Sequence, residues 1–89
     1  MTLTLIGRDG CHLCEVARGV IDQVLADLPD SRADQIELVD VSVDADPALR
    51  ERWGEKVPVI LVDGRLHSYW RVDATRLKEA LEPSREPVS

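Results

Sequence analysis

Two cysteines, Cys11 and Cys14, stand near the start of the chain with only His12 and Leu13 between them. This spacing suits thiol–disulfide exchange, in which one thiolate attacks a disulfide and a second thiol within reach resolves the mixed disulfide. The same spacing is half of a zinc site, but zinc usually takes four ligands. Only His12 and His67 remain to supplement the pair, and His12 lies inside the chelate spacing itself. An iron–sulfur cluster would have to be bridged between two chains, because two cysteines cannot complete one. A structural disulfide or an inert buried pair is the plain alternative, although two close-set cysteines are not a disulfide framework.

The elements around the pair decide between these readings. Thr2 to Ile6 alternates threonine with apolar residues and predicts a first strand, stopped at Gly7. After the polar Arg8-Asp9-Gly10, the residues Leu13, Val16, Ala17, Val20, Ile21, Val24, Leu25 and Leu28 recur at three- and four-residue steps. That is one continuous apolar stripe on a helix, which Pro29 ends. The cysteines therefore fall where the strand hands over to the helix. Cys11 would sit among the unpaired backbone N–H groups of the first turn, at the positive end of the dipole, which stabilises a thiolate. Cys14, one turn further in, is better shielded and suits the resolving role.

Downstream, Pro29 to Gln35 reads as a polar loop and Ile36 to Val41 as a second strand. Strand, helix and strand within about 40 residues describe a right-handed crossover with parallel strands. Asp46-Pro47 supplies an N-cap and a first-position proline for a short helix that carries Leu49 and Trp53 on one face, with Gly54 at its C-terminal cap. Val57 to Val62 suits a strand buried on both faces. Asp63-Gly64 predicts a two-residue hairpin turn into a fourth strand, Arg65 to Tyr69. Asp73 can cap a last helix carrying Leu77, Ala80 and Leu81. The order is β-α-β-α-β-β-α, in one domain over residues 1–82, with a flexible C-terminal tail at 83–89.

Several other residues are candidates for the site. Proline is awkward at the head of a buried strand because it removes a ladder donor. Pro58 either takes the first strand position, where the loss is tolerated, or follows a cis bond from Val57 in a tight functional turn. A protonated His12 would help hold the Cys11 thiolate; otherwise it is an exposed, uninvolved imidazole. Arg8 and Lys56 would bring positive potential to the site or bind a substrate carboxylate, against the alternative of solvated surface charges. Asp73 reads as a helix cap, a ligand, or both. Trp53 and Trp70 read as packing residues at the ends of elements, and His67 as surface on an edge strand.

The charge of −6 excludes several partners. Binding to nucleic acid depends on Lys and Arg releasing phosphate counterions, and an acidic chain is also disfavoured at anionic membranes. The same charge opposes self-association, so a monomer is expected. Arg8, the first basic residue, follows the apolar start Met1 to Ile6 instead of preceding it, unlike a secretory leader. No apolar run approaches the roughly 20 residues that cross a bilayer. A soluble, cytoplasmic protein is expected, and nine arginines against two lysines suggest a GC-rich bacterial genome.

Strand–CxxC–helix over Leu3 to Leu28, Val57-Pro58-Val59-Ile60-Leu61-Val62 and the following Asp63-Gly64 together resemble the glutaredoxin-like branch of the thioredoxin superfamily, over about residues 2–82. More narrowly, Cys-His-Leu-Cys, Val39-Asp40-Val41, Asp46-Pro47 and Val-Pro-Val-Ile look like a bacterial glutaredoxin-like family of uncertain substrate. The resemblance implies a thioredoxin-like α/β fold with a four-stranded mixed sheet flanked by helices. It also implies a cis Pro58 facing the CxxC loop, Cys11 as nucleophile, and a Val57 backbone that pairs with a bound thiol peptide as an added strand. The chain departs from glutaredoxins in lacking an aromatic residue between the cysteines. Lys56 precedes Val57-Pro58 where those proteins have threonine, Tyr69-Trp70-Arg71 stands where they have Gly-Gly, and Val72-Asp73 where they often have Cys-Asp. The expected activity is reduction of protein disulfides or mixed disulfides of low-molecular-weight thiols, with no bound cofactor and with glutathione or mycothiol as external co-substrate. A zinc or iron–sulfur protein, or a binding module with a vestigial CxxC, is the alternative.

Overall fold

β1 (Thr2–Gly7) leads into α1 (His12–Asp27), a single turn of helix α2 (Asp30–Ala33), and β2 (Glu37–Ser42). A 3-10 turn at Val43–Ala45 precedes α3 (Pro47–Trp53), followed by β3 (Val59–Val62), β4 (Arg65–Tyr69) and α4 (Ala74–Leu81). The computed structural model describes residues 1–82; the tail expected at 83–89 lies outside the described residues. The strands form one sheet in the order β2-β1-β3-β4. β1 and β2 are parallel, with Thr2 opposite Glu37 and Gly7 opposite Ser42, while β3 is antiparallel to both β1 and β4.

Local chemistry sets the ends of these elements. Leu28 leaves the helical conformation with ψ 154°, as the residue before a proline tends to do. Asp46 accepts the N–H of Ala48 at 2.9 Å, ahead of Pro47 at the first helical position. Asp63 and Gly64 both take positive φ (52° and 83°), the backbone a two-residue hairpin of matching twist requires. The Asp63 carboxylate accepts the Thr2 N–H at 2.8 Å, while its own N–H donates to the Thr2 carbonyl at 2.8 Å. The hairpin is thereby fastened to the start of β1.

The sheet has a core on each face. Leu3, Leu5 and Ile60 pack against Ala17, Ile21, Val24 and Leu28 from α1 and Leu77 and Leu81 from α4. The alternate strand residues Ile6 and Val59 pack on the other side with Val43, Trp53 and Val57, and this smaller cluster includes Cys14. The alternation along β1 is what separates the two cores.

The structure differs from the sequence reading in several elements. The expected loop from Pro29 to Gln35 holds α2, whose Arg32 donates to the Leu81 carbonyl and ties the turn to α4. β3 begins at Val59, not Val57, and Leu61 and Val62 are only half-buried, so β3 is not covered on both faces throughout. The β3–β4 register shifts between Ile60, opposite Ser68, and Leu61, opposite Leu66. His67 is the extra residue of that bulge and is half-buried, where plain alternation places it on the surface. Finally, α1 does not bury its whole apolar stripe: Leu13 and Val16 are 47% and 49% exposed.

Leu77 is fully buried and holds α4 against the larger core. Leu77→Ala is expected to lower unfolding stability by about 2–5 kcal/mol, from lost burial plus the cavity left behind. Urea denaturation followed by circular dichroism measures it, and a loss under about 1 kcal/mol would mean α4 is not docked as described.

Candidate functional site

Cys11 is the N-cap of α1, with φ −96° and ψ 110°, and its sulfur accepts the backbone N–H of Cys14 at 3.2 Å. A cysteine thus occupies the capping role that Ser, Thr, Asp or Asn usually fills. The sulfurs of Cys11 and Cys14 are joined as a disulfide, with the Cα atoms 5.2 Å apart. Cys14 is 9% exposed and belongs to the smaller core, whereas Cys11 is half-exposed at its edge. The pair therefore offers one accessible and one shielded sulfur, each placed by the first turn of the helix.

Gly7 makes this junction possible. A β-carbon there would stand 3.1 Å from Cys14 Sγ and 3.3 Å from Cys14 Cβ. Both are closer than packed heavy atoms normally sit. The end of β1 is bare so that α1 can begin directly over it.

On the β2 side, a groove of about 590 Å³ opens beside both cysteines, bordered by Arg8, Glu15, Arg18 and Asp40. Arg18 Nη1 meets Asp40 Oδ2 at 2.6 Å across it. Both side chains are near half-exposed, so the bridge contributes under about 1 kcal/mol and serves as a movable tie between α1 and β2. Asp9 also lines the groove, so its two arginines face three carboxylates.

Val57 is buried in the cluster that contains Cys14 and against which Cys11 packs. Pro58 is fully buried, and the Val57–Pro58 peptide bond is cis. Of the other residues singled out from sequence, Arg8 borders the charged groove, while His12 is exposed and does not line it. The Lys56 ammonium lies 5.3 Å over the Tyr69 ring. The Asp73 carboxylate accepts the N–H groups of Thr75 at 2.9 Å and Arg76 at 3.1 Å, so it is committed to capping α4. Among the described residues, no three His, Cys, Asp or Glu side chains converge as a metal site. No helix there is long and apolar enough to cross a membrane.

Sequence reasoning gives no site role to Arg18 or Asp40, reads Gly7 only as the end of a strand, and reads Trp70, like Trp53, as a packing residue. Trp53 packs in the smaller core as expected, but Trp70 is 52% exposed. It takes φ 68°, a left-handed conformation that costs a bulky residue on the order of 1–3 kcal/mol. The one sequence signal is its position where the resembled proteins have glycine, a residue that adopts such a backbone freely.

A disulfide across the first turn of a helix, at the end of a central strand in a four-stranded mixed sheet, defines a thioredoxin-fold protein with a CxxC pair. The fold compares well with a mutant thioredoxin from Halobacterium salinarum, at a TM-score of 0.57 and 25% identity over 90% of this chain and 70% of that one. Residues 2–82 match the model of the glutaredoxin-like domain (DUF836), and the chain belongs to that family. A structural genomics target from X. campestris, XcR50, is similar at 36% identity and a TM-score of 0.68, over 89% of this chain and 93% of that one. An uncharacterized protein of Mycobacterium tuberculosis is 39% identical over 77 residues, which is 83% of this chain and 75% of that protein.

Gly7→Val tests the close approach of strand and helix. Valine favours a strand, so propensity alone predicts a small gain. The clash with Cys14 is expected to reverse it and to cost about 1–3 kcal/mol, read from thermal unfolding of the oxidised protein. A variant as stable as the parent would mean that Cys14 is not pressed against Gly7.

Proposed function

We propose that the protein is a thiol–disulfide oxidoreductase that reduces protein disulfides or mixed disulfides of low-molecular-weight thiols, with Cys11 attacking and Cys14 resolving. The observation that carries this reading is the position of Cys11 as both half-exposed partner of the disulfide and N-cap of α1, its sulfur already accepting a backbone N–H. In the reduced protein the same N–H and the positive end of the helix dipole favour the thiolate over the thiol. Membership of the glutaredoxin-like family supports redox chemistry at this pair.

The reaction balances as two exchanges. The Cys11 thiolate attacks one sulfur of the substrate disulfide; that bond breaks, and the other sulfur leaves and takes up a proton. Cys14 then loses its proton and attacks Cys11 Sγ, and the second substrate sulfur leaves as a thiol. Two electrons and two protons pass from the dithiol to the substrate, and the chain returns to the Cys11–Cys14 disulfide. An external thiol, of the glutathione or mycothiol type, or a dithiol reductase restores the dithiol. Val57, in the same cluster as Cys14, is the candidate to offer backbone to a substrate segment laid alongside the cysteines, with Pro58 shaping the groove beside it. Arg8 is the candidate to meet a substrate carboxylate from the charged groove.

Iodoacetamide at neutral pH should modify reduced Cys11 well before Cys14, as followed by peptide mass. Cys11→Ser should abolish reduction of any disulfide, while Cys14→Ser should accumulate a mixed disulfide on Cys11. Faster alkylation of Cys14, or an active Cys11→Ser variant, would reverse the assigned roles.

A further inference from the structure

Segment 55–58 joins α3 to β3 and carries Val57 into the cluster that contains Cys14. Its backbone polar groups are unevenly used. The Lys56 N–H donates to the Trp53 carbonyl at 2.8 Å. Pro58 has no N–H, and its carbonyl accepts the Trp70 N–H at 2.8 Å. The Glu55 carbonyl accepts the Trp70 indole Nε1–H at 3.1 Å. Among the described residues, the N–H and carbonyl of Val57 make no hydrogen bond, although Val57 is only 7% exposed. Backbone groups of so covered a residue are rarely left orphaned, and a bound partner is one way to satisfy them.

The end of β4 grips this segment through two successive residues. Lys56 lies over the Tyr69 ring, and Trp70 bonds Glu55 and Pro58, which flank Val57. The Tyr69 and Trp70 rings meet edge-on at 5.1 Å, an arrangement that aromatic pairs prefer. Trp70 holds φ 68°, a backbone that glycine takes without strain. Glycine could still give the main-chain bond to Pro58, but only a side chain can give the bond to Glu55. The strained residue is thus the one whose indole ties the segment down, and such strain persists where the surroundings hold it.

We propose that Trp70 is a positioning residue, whose indole staples segment 55–58 to the end of β4 and so holds the uncommitted Val57 backbone in register for a substrate peptide beside Cys11. The proposal rests on the thiol–disulfide reading and goes beyond it in assigning what keeps the pairing edge in place.

Single-turnover reduction by the pre-reduced full chain tests it on two disulfides. One is an extended peptide whose single cysteine forms a mixed disulfide with 2-mercaptoethanol, and it has backbone to pair. The other is bis(2-hydroxyethyl) disulfide, which has none. Trp70→Phe keeps an aromatic ring and removes the donor. Trp70→Gly removes the whole side chain on a backbone that suits glycine, so it should fold. Both should raise the half-saturating peptide concentration about three- to tenfold. The limiting rate with the peptide, and the rate with bis(2-hydroxyethyl) disulfide, should stay within about twofold of the parent. Amide exchange at Lys56, followed by NMR, should quicken in both variants relative to Ile21 in the larger core.

A Trp70→Phe variant that behaves as the parent would mean that the ring alone suffices, and would overturn the proposal. So would a loss that falls equally on both disulfides, an unchanged Lys56 exchange, or a parent that reduces only bis(2-hydroxyethyl) disulfide. A parent that reduces neither would instead sink the redox reading, and this inference with it.

Discussion

The hydrogen bond from the Cys14 N–H to the Cys11 sulfur joins secondary structure to chemistry. An N-cap must satisfy at least one of the orphan amides at the start of a helix, and here the acceptor is the sulfur that also forms the disulfide. Everything upstream and downstream serves that position. β1 must end in a residue without a side chain for Cys14 to come within reach, and Gly7 does so. Gly10, at φ 75°, lets the loop turn back so that the helix starts at once. The apolar stripe of α1 then fixes the helix on the sheet, so the orientation of its first turn, and with it of both sulfurs, is set by packing several turns away.

The two faces of the sheet divide the work. The larger core, with Leu3, Ile21, Ile60, Leu77 and Leu81 fully buried, carries α1 and α4 and contains no residue of the redox site. The smaller one contains Cys14 and Val57 and is closed by Trp53 at the end of α3. Changes of protonation or bonding at the sulfurs therefore disturb the lesser of the two cores. The Arg18–Asp40 bridge on the outer side is exposed enough to open without appreciable loss of stability.

Much of this is readable from sequence wherever the cause is local. The CxxC spacing, the proline that ends α1, the Asp46 and Asp73 caps and the Asp63-Gly64 turn each depend on residues a few positions apart, and each stands as expected. What is not readable depends on how far one element extends over another. The periodicity of α1 shows that Leu13 and Val16 are apolar and on the stripe, but not that they stay half-exposed. The bulge at His67 arises from strand pairing and leaves no mark in composition. α2 is a single turn, too short for propensity to signal, and is held by the distant Leu81 carbonyl. Trp70 reads as packing because tryptophan is mostly buried; instead it is exposed on a left-handed backbone, with its N–H bonded to the Pro58 carbonyl and its indole to that of Glu55.

A pair that cycles between dithiol and disulfide must not be what holds the protein together. The Cys11–Cys14 link closes a loop of sequence separation 3. On the chain-entropy account so small a loop stabilises by only about 2 kcal/mol, against more than twice that for links across a whole domain. The N-cap hydrogen bond to sulfur needs no disulfide, and a thiolate would accept it more strongly. Loss of the bond on reduction is thus partly offset at the same atom, and the larger core on the opposite face is unaffected. The fold can carry both redox states because the cross-link is short, the capping sulfur is an acceptor in either state, and the apolar packing that fixes α1 lies further along the helix.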